Sequence, residues 1–141
     1  MLDEIYDDEK GKLILRLMVG MLMLFHGAAK IMHPGSLDFI GSSLSNMGLP
    51  AFFAYAVYVG EVIAPLMIIS GFKSRIGGLL IMINMLVAIV LVHLSGVFSL
   101  TQHGGLALEL QYFYLIGGLL IVMFGSGKYA VKPDWTQHWF S

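Results

Sequence analysis

The chain has 141 residues, of which 57% are hydrophobic and 12% charged, with eight Lys and Arg against nine Asp and Glu. Seventeen charges are too few for the surface of a soluble domain of this length, where about a quarter of residues are normally charged, and the near-neutral balance excludes the basic surface that a nucleic-acid partner requires. The absence of cysteine excludes disulfides, thiol redox chemistry and Cys-ligated zinc or iron–sulfur centres.

The chain opens on an acidic stretch that holds Asp3, Glu4, Asp7, Asp8 and Glu9. We read residues 1–12 as a solvated tail. Four apolar runs follow, at about 13–32, 51–72, 76–94 and 106–124. About 20 apolar residues rising 1.5 Å each cross a hydrocarbon core of ~30 Å. A soluble helix would carry a polar face, and these runs carry none. The expected fold is therefore all-α: an integral membrane, up-down four-helix bundle over 13–127, with a C-terminal tail over 128–141. The acidic segment before the first run, and the lack of a small-residue cleavage pattern after it, predict a retained helix rather than a signal peptide.

Between the first two runs, Leu37, Phe39, Ile40, Leu44 and Met47 recur at helical spacing before Gly48 and Pro50. This predicts a short interfacial helix over 36–47. The turn at Lys73-Ser74-Arg75 is too short for anything but antiparallel neighbours. Lys10, Lys12, Arg16, Lys73, Arg75, Lys128 and Lys132 all fall on one side, and only Lys30 on the other. Lys and Arg accumulate on the cytoplasmic side, so both termini are expected there and both long loops outside. Trp135, Trp139 and Phe140 would anchor the C-terminal tail at the interface.

Ionisable groups inside a span are costly, and each is a candidate for function. They are Arg16, His26, Lys30, Glu61, His93 and Glu109, with Asn84 and Gln111 as uncharged companions. The orientation places His26, Lys30, Glu61, His93 and Glu109 in the outer half and Arg16 alone at the inner end. Arg16, Gly20, Met23, Gly27 and Lys30 share one stripe of the first helix, where small residues admit a close neighbour. Pro65 removes the N–H that would bond the carbonyl of Glu61, so Glu61 should sit on a locally opened turn. A carboxylate at that depth needs a partner, and His26 is the nearest candidate. Asn84 and His93, nine residues apart, should point to opposite sides of their helix.

Structural roles compete at most of these positions. Lys30 can snorkel to the interface. Glu109 suits a helix N-terminus or could pair Lys30. His93 can be an interfacial side chain, and Arg16 reads as an orientation signal. Gly77-Gly78 and Gly117-Gly118 read as close-packing devices, and the methionines as lipid-facing or core filler. Three chemistries fit the outer set. The two His and two Glu could hold a metal, without any dense ligand motif. They could form a proton relay. Or they could hydrogen-bond the polar head of a lipophilic molecule such as a quinone, with the aromatics of the outer half forming a flat slot.

The order of these residues resembles the DoxX family of small four-helix membrane proteins. The segments that carry it are Leu13-Ile14-Leu15-Arg16, Phe25-His26-Gly27 with Lys30, Gly48-Leu49-Pro50, Gly60-Glu61, Ser70-Gly71-Phe72-Lys73-Ser74-Arg75, Glu109 and Gly125-Ser126-Gly127-Lys128-Tyr129. The resemblance spans about 13–129; the acidic stretch Asp3–Glu9 lies outside it. It implies a bacterial inner-membrane protein of a group in which one branch forms the membrane subunit of a thiosulfate:quinone oxidoreductase, and other members are linked to quinone or catechol stress. It implies a pocket at His26, Lys30, Glu61 and Glu109. Without cysteine, thiol-based thiosulfate chemistry is excluded in this chain.

The expected function is thus a quinone-linked redox subunit. Glu61 and His26 would handle protons as catalytic groups, and Lys30, Glu109 and His93 would bind substrate. Quinone is the expected cofactor, and the partners are the bilayer, a redox protein and a second copy. The competing expectations are a non-catalytic membrane scaffold or assembly factor, and a small metal- or solute-handling membrane protein.

Overall fold

The computed structural model describes residues 7–131. Lys132, the Trp135–Phe140 anchor and the acids Asp3 and Glu4 lie outside the described residues. Among the described residues the protein is helical, with no strand beyond one isolated bridge between Leu100 and Leu106.

Helix α1 (Asp8–Met32) begins earlier than the hydropathy implies. Asp7 accepts hydrogen bonds from the N–H groups of Glu9 and Lys10, and Asp8 and Glu9 occupy the first turn, where the helix dipole favours acids. Residues 8–12 of the expected solvated tail are therefore helical. Helix α2 (Gly35–Asn46) is the expected short helix, displaced by one residue. The next helical segment, Ala51–Ser70, passes from a 3-10 stretch (Ala51–Ala56) through a π turn (Val59–Ile63) into α3 (Ala64–Ser70). Gly71, at φ +83°, and Lys73, at φ +49°, make the tight turn. Helix α4 (Ser74–Ala88) then continues through a second π turn (Ile89–His93) to a 3-10 end at Leu94–Gly96. Helix α5 (Glu109–Phe124) completes the set.

Three of these segments, Asp8–Met32, Ala51–Ser70 and Ser74–Gly96, are long and apolar enough to cross a membrane. Helix α5 is apolar but has 16 residues, about 24 Å at 1.5 Å each, and falls short of a ~30 Å core. The expected span at 106–124 loses its first turn because Leu106 bridges Leu100 and Ala107 donates its N–H to Ser99.

Val19 and Met23 of α1, Ala64 and Ile68 of α3, Ile81 and Met85 of α4, and Tyr114 and Ile121 of α5 form one core. The glycine pairs act as the sequence suggests. A Cβ at Gly78 would press on the Gly118 carbonyl, and one at Gly118 on the Gly78 carbonyl, so α4 and α5 touch along their backbones. Helix α2 packs on the start of the second segment through Leu37, Leu44 and Ala54.

Arg16 has a structural role beyond the orientation signal read from the sequence: it is 1% exposed. Its guanidinium donates to the carbonyls of Ile68 (2.8 Å), Ile69 (3.0 Å), Ser126 (2.5 Å) and Tyr129 (2.8 Å). The first two belong to the last turn of α3, whose carbonyls lack helical partners and form the negative end of its dipole. Ser126 also donates to the Gly71 carbonyl (2.7 Å), and Val131 to the Ser70 carbonyl (2.8 Å). This basic end, next to the Lys73–Arg75 turn, is closed by main-chain acceptors around one cation.

Candidate functional site

The site forms at the far end from Arg16, where the Pro65 signal in the sequence takes effect. With no N–H at residue 65, the Ala64 N–H reaches back five residues to the Val59 carbonyl, and the helix widens into a π turn that carries Gly60 and Glu61. Gly27 of α1 lies against the released Glu61 carbonyl, and any Cβ there would collide with it. This close approach brings Lys30, less than one turn further along α1, to the Glu61 carboxylate.

Lys30 Nζ lies 2.5 Å from Glu61 Oε2, and Asn84 Nδ2 of α4 donates to Glu61 Oε1 at 3.3 Å. The Glu61 side chain is 7% exposed and that of Lys30 20%. The Tyr58 hydroxyl donates to the Lys30 carbonyl at 3.3 Å, which steadies the end of α1. The partner of Glu61 is therefore Lys30, not His26. Both carboxylate oxygens are bonded, yet the ammonium uses one of three N–H donors, and Asn84 keeps a second N–H and its oxygen.

This group forms the polar floor of a cavity of about 540 Å³ between α2 and the two segments that follow it. Phe39, Ile40, Leu44, Phe53, Val87 and Leu91 give it apolar walls, and His93 lines it together with Asn84. That juxtaposition contradicts the expectation that Asn84 and His93 face opposite ways. In a regular α-helix nine residues rotate by half a turn. The π turn at Ile89–His93 absorbs one extra residue and reduces the separation to about 80°. Nothing in the run Ala88-Ile89-Val90-Leu91-Val92 announces the turn.

The five expected site residues do not all meet. Lys30, Glu61 and His93 line the cavity. His26 stands one step off the Arg16–Lys30 stripe and is exposed, with its ring edge-on to Tyr114 at 5.7 Å between centroids. Glu109 is exposed beside Gly105 at the start of α5, and makes no ion pair among the described residues. Among the described residues no three His, Asp or Glu side chains gather as metal ligands would, so the ligand set considered from the sequence is dispersed. The apolar spacing of α2 predicts a membrane-surface face, whereas Phe39, Ile40 and Leu44 of that face wall the cavity.

The DoxX family model matches residues 11–94, a stretch that holds every polar residue of the cavity. The chain is 32% identical over 126 residues to the Bacillus subtilis (strain 168) protein named "Putative oxidoreductase CatD", covering 89% of this chain and 87% of that one. It is 27% identical over 126 residues to an uncharacterized membrane protein of Mycobacterium tuberculosis, covering 83% of this chain and 76% of that one. No solved structure matches the chain significantly. The family match and the similarity to the Bacillus protein along most of both chains agree with the apolar helices and their order: this protein is a membrane protein of the DoxX family.

Proposed function

We propose that this protein is a quinone-linked redox subunit of the bacterial inner membrane, and that its cavity receives the quinone head group. The observation that carries this reading is the pairing of apolar walls with a floor that holds N–H donors in reserve at Lys30 and Asn84. Ligand cavities of a few hundred Å³ with apolar walls and a few placed polar groups suit drug-sized rings, and a head group with carbonyl oxygens matches donors in surplus. The ring would lie between Phe39, Phe53 and Leu91, with one oxygen at the floor.

Reduction of a quinone to a quinol consumes two electrons and two protons. Lys30 would donate a hydrogen bond to the oxygen on which negative charge develops, a placed charge in a dry site. Glu61, held in position by Lys30 and Asn84, would take up one proton from water and pass it to the oxygen at the floor, and the second proton would reach the other oxygen from water. His93 would meet the ligand on another wall. His26 and Glu109 stand outside the cavity and take no step in this scheme. The electrons would come from a partner redox protein or a reduced substrate, and the oxidoreductase name of the Bacillus relative supports that direction. In this reading α5 makes the fourth crossing, the Lys73–Arg75 turn and both termini face the cytoplasm, and the cavity opens in the outer half.

The test is to purify the protein in mild detergent and quantify quinone in an organic extract. Stoichiometric quinone that disappears in Lys30→Met and Asn84→Leu supports the proposal. No quinone in the purified protein, and no binding of an added short-chain quinone, overturns it.

A scaffold or assembly role is the second reading, favoured by the full bonding of both Glu61 oxygens. It gains if Lys30→Met and Glu61→Gln lower thermal stability but leave quinone-dependent growth phenotypes unchanged. The metal-handling reading would need a stoichiometric metal that Glu61→Gln removes.

A further inference from the structure

Helices α4 and α5 are level at one end and uneven at the other. At the basic end the hydroxyl of Ser126, just past α5, accepts from the hydroxyl of Ser74, the first residue of α4, at 2.9 Å. From there the α4 segment runs 23 residues to Gly96, whereas α5 has 16. Seven residues at 1.5 Å leave α5 about 10 Å short at the far end. Residues 97–108 occupy that step.

This connection is built like backbone that must avoid water. Thr101 donates to Gly105 (2.7 Å), Ala107 to Ser99 (2.8 Å), Gly104 to Thr101 (3.1 Å) and Ser99 to Gly96 (3.0 Å). Tyr112, in the first turn of α5, donates its hydroxyl to the Val97 carbonyl at 2.7 Å and ties the connection down beside the short helix. No Asp, Glu, Lys or Arg occurs between Leu94 and Leu108. Yet Phe98 is 90% exposed and Leu100 67%, an unfavourable display toward water. The polar side chains Gln102 and His103 are at the tip. Irregular backbone is tolerated at membrane depth only where its polar groups are satisfied within the protein.

We propose that the hairpin 97–108 is inserted in the lipid interface, with Phe98 and Leu100 in the acyl region and the Gln102–His103 tip among the headgroups. It makes up the length that α5 lacks, so that α4 and α5 end at the same membrane surface. The proposal is independent of the quinone reading and of which side the hairpin occupies.

The test uses the full chain with Trp135→Phe and Trp139→Phe, which removes the native tryptophans, reconstituted in phosphatidylcholine and phosphatidylglycerol vesicles. A single reporter is then introduced as Phe98→Trp, Leu100→Trp or His103→Trp. The first two sites are so exposed that the new ring displaces no packing. The expected result is blue-shifted emission from Phe98→Trp and Leu100→Trp, quenching by lipid brominated near the headgroup, and quenching by aqueous iodide several-fold weaker than for His103→Trp. If iodide quenches Phe98→Trp and Leu100→Trp as readily as His103→Trp, the hairpin stands in water and the proposal fails. It also fails if protection from iodide appears only when a soluble protein fraction is added, because the surface then belongs to a protein partner.

Discussion

The two ends of the molecule each hold a cation within the bundle, and they treat it differently. Arg16 is enclosed by four main-chain carbonyls, with no carboxylate partner among the described residues. Lys30 has a carboxylate partner, spends one N–H on it and faces open volume. A guanidinium that spends four of its five N–H donors on main-chain carbonyls has little left to offer a ligand, and its role is to hold backbone together. An ammonium with donors in reserve beside an apolar cavity retains binding capacity. A charge inside an apolar run marks both positions in the sequence; only the count of used and unused donors separates structural from functional use.

The largest effect that can break this contrast is at Arg16. Arg16→Gln should leave carbonyls of α3 and of the segment after α5 without partners in a dry site, and cost about 3–5 kcal/mol, comparable to breaking a buried pair. Thermal unfolding in detergent measures it, and a Tm close to wild type would show that the carbonyl cluster is dispensable. Gly27→Val follows, because the added side chain meets the Glu61 carbonyl and the Val62 side chain. Overpacking of this kind costs about 1–3 kcal/mol, and it should abolish ligand binding by moving Lys30 off Glu61.

Glu61 and Lys30 sharpen the contrast through a double-mutant cycle. Glu61→Ala alone strands the ammonium and should cost about 1–3 kcal/mol. Adding Lys30→Met should restore most of that stability without restoring binding. If the double variant is as unstable as the sum of the singles, the pair is a structural lock like Arg16. The smallest effects are expected at His26→Gln and Glu109→Gln. Both side chains are exposed and outside the cavity, and each substitution should fall within about 0.5 kcal/mol of wild type and leave ligand retention unchanged. Loss of ligand in either variant would show that the site extends past the cavity described above.

Much of the candidate site was legible from single residues whose chemistry acts locally. Pro65 announced the opened turn under Glu61, because a missing N–H has the same consequence in any fold. The spacing of Arg16, Gly20, Met23, Gly27 and Lys30 announced the packed stripe of α1, four of whose members are buried and the fifth engaged with Glu61. What stayed hidden depended on distant partners. Lys30 was chosen over His26 by the position of the second segment against Gly27, which no property of residues 26 or 30 encodes. The shared wall of Asn84 and His93 required a π turn with no proline or glycine to signal it.

The sequence by itself determined the helices, their apolar character and the short list of costly polar residues, because hydropathy over about 20 residues and the scarcity of charge act without tertiary context. The tertiary structure alone decided which of those residues meet. Arg16 became a clamp because the ends of α3 and α5 converge on it, and Lys30, Glu61, Asn84 and His93 became one cavity because two π turns rotate their helices into register. Pairing of side chains depends on angles accumulated along several helices, and a single inserted residue in one turn is enough to change the outcome.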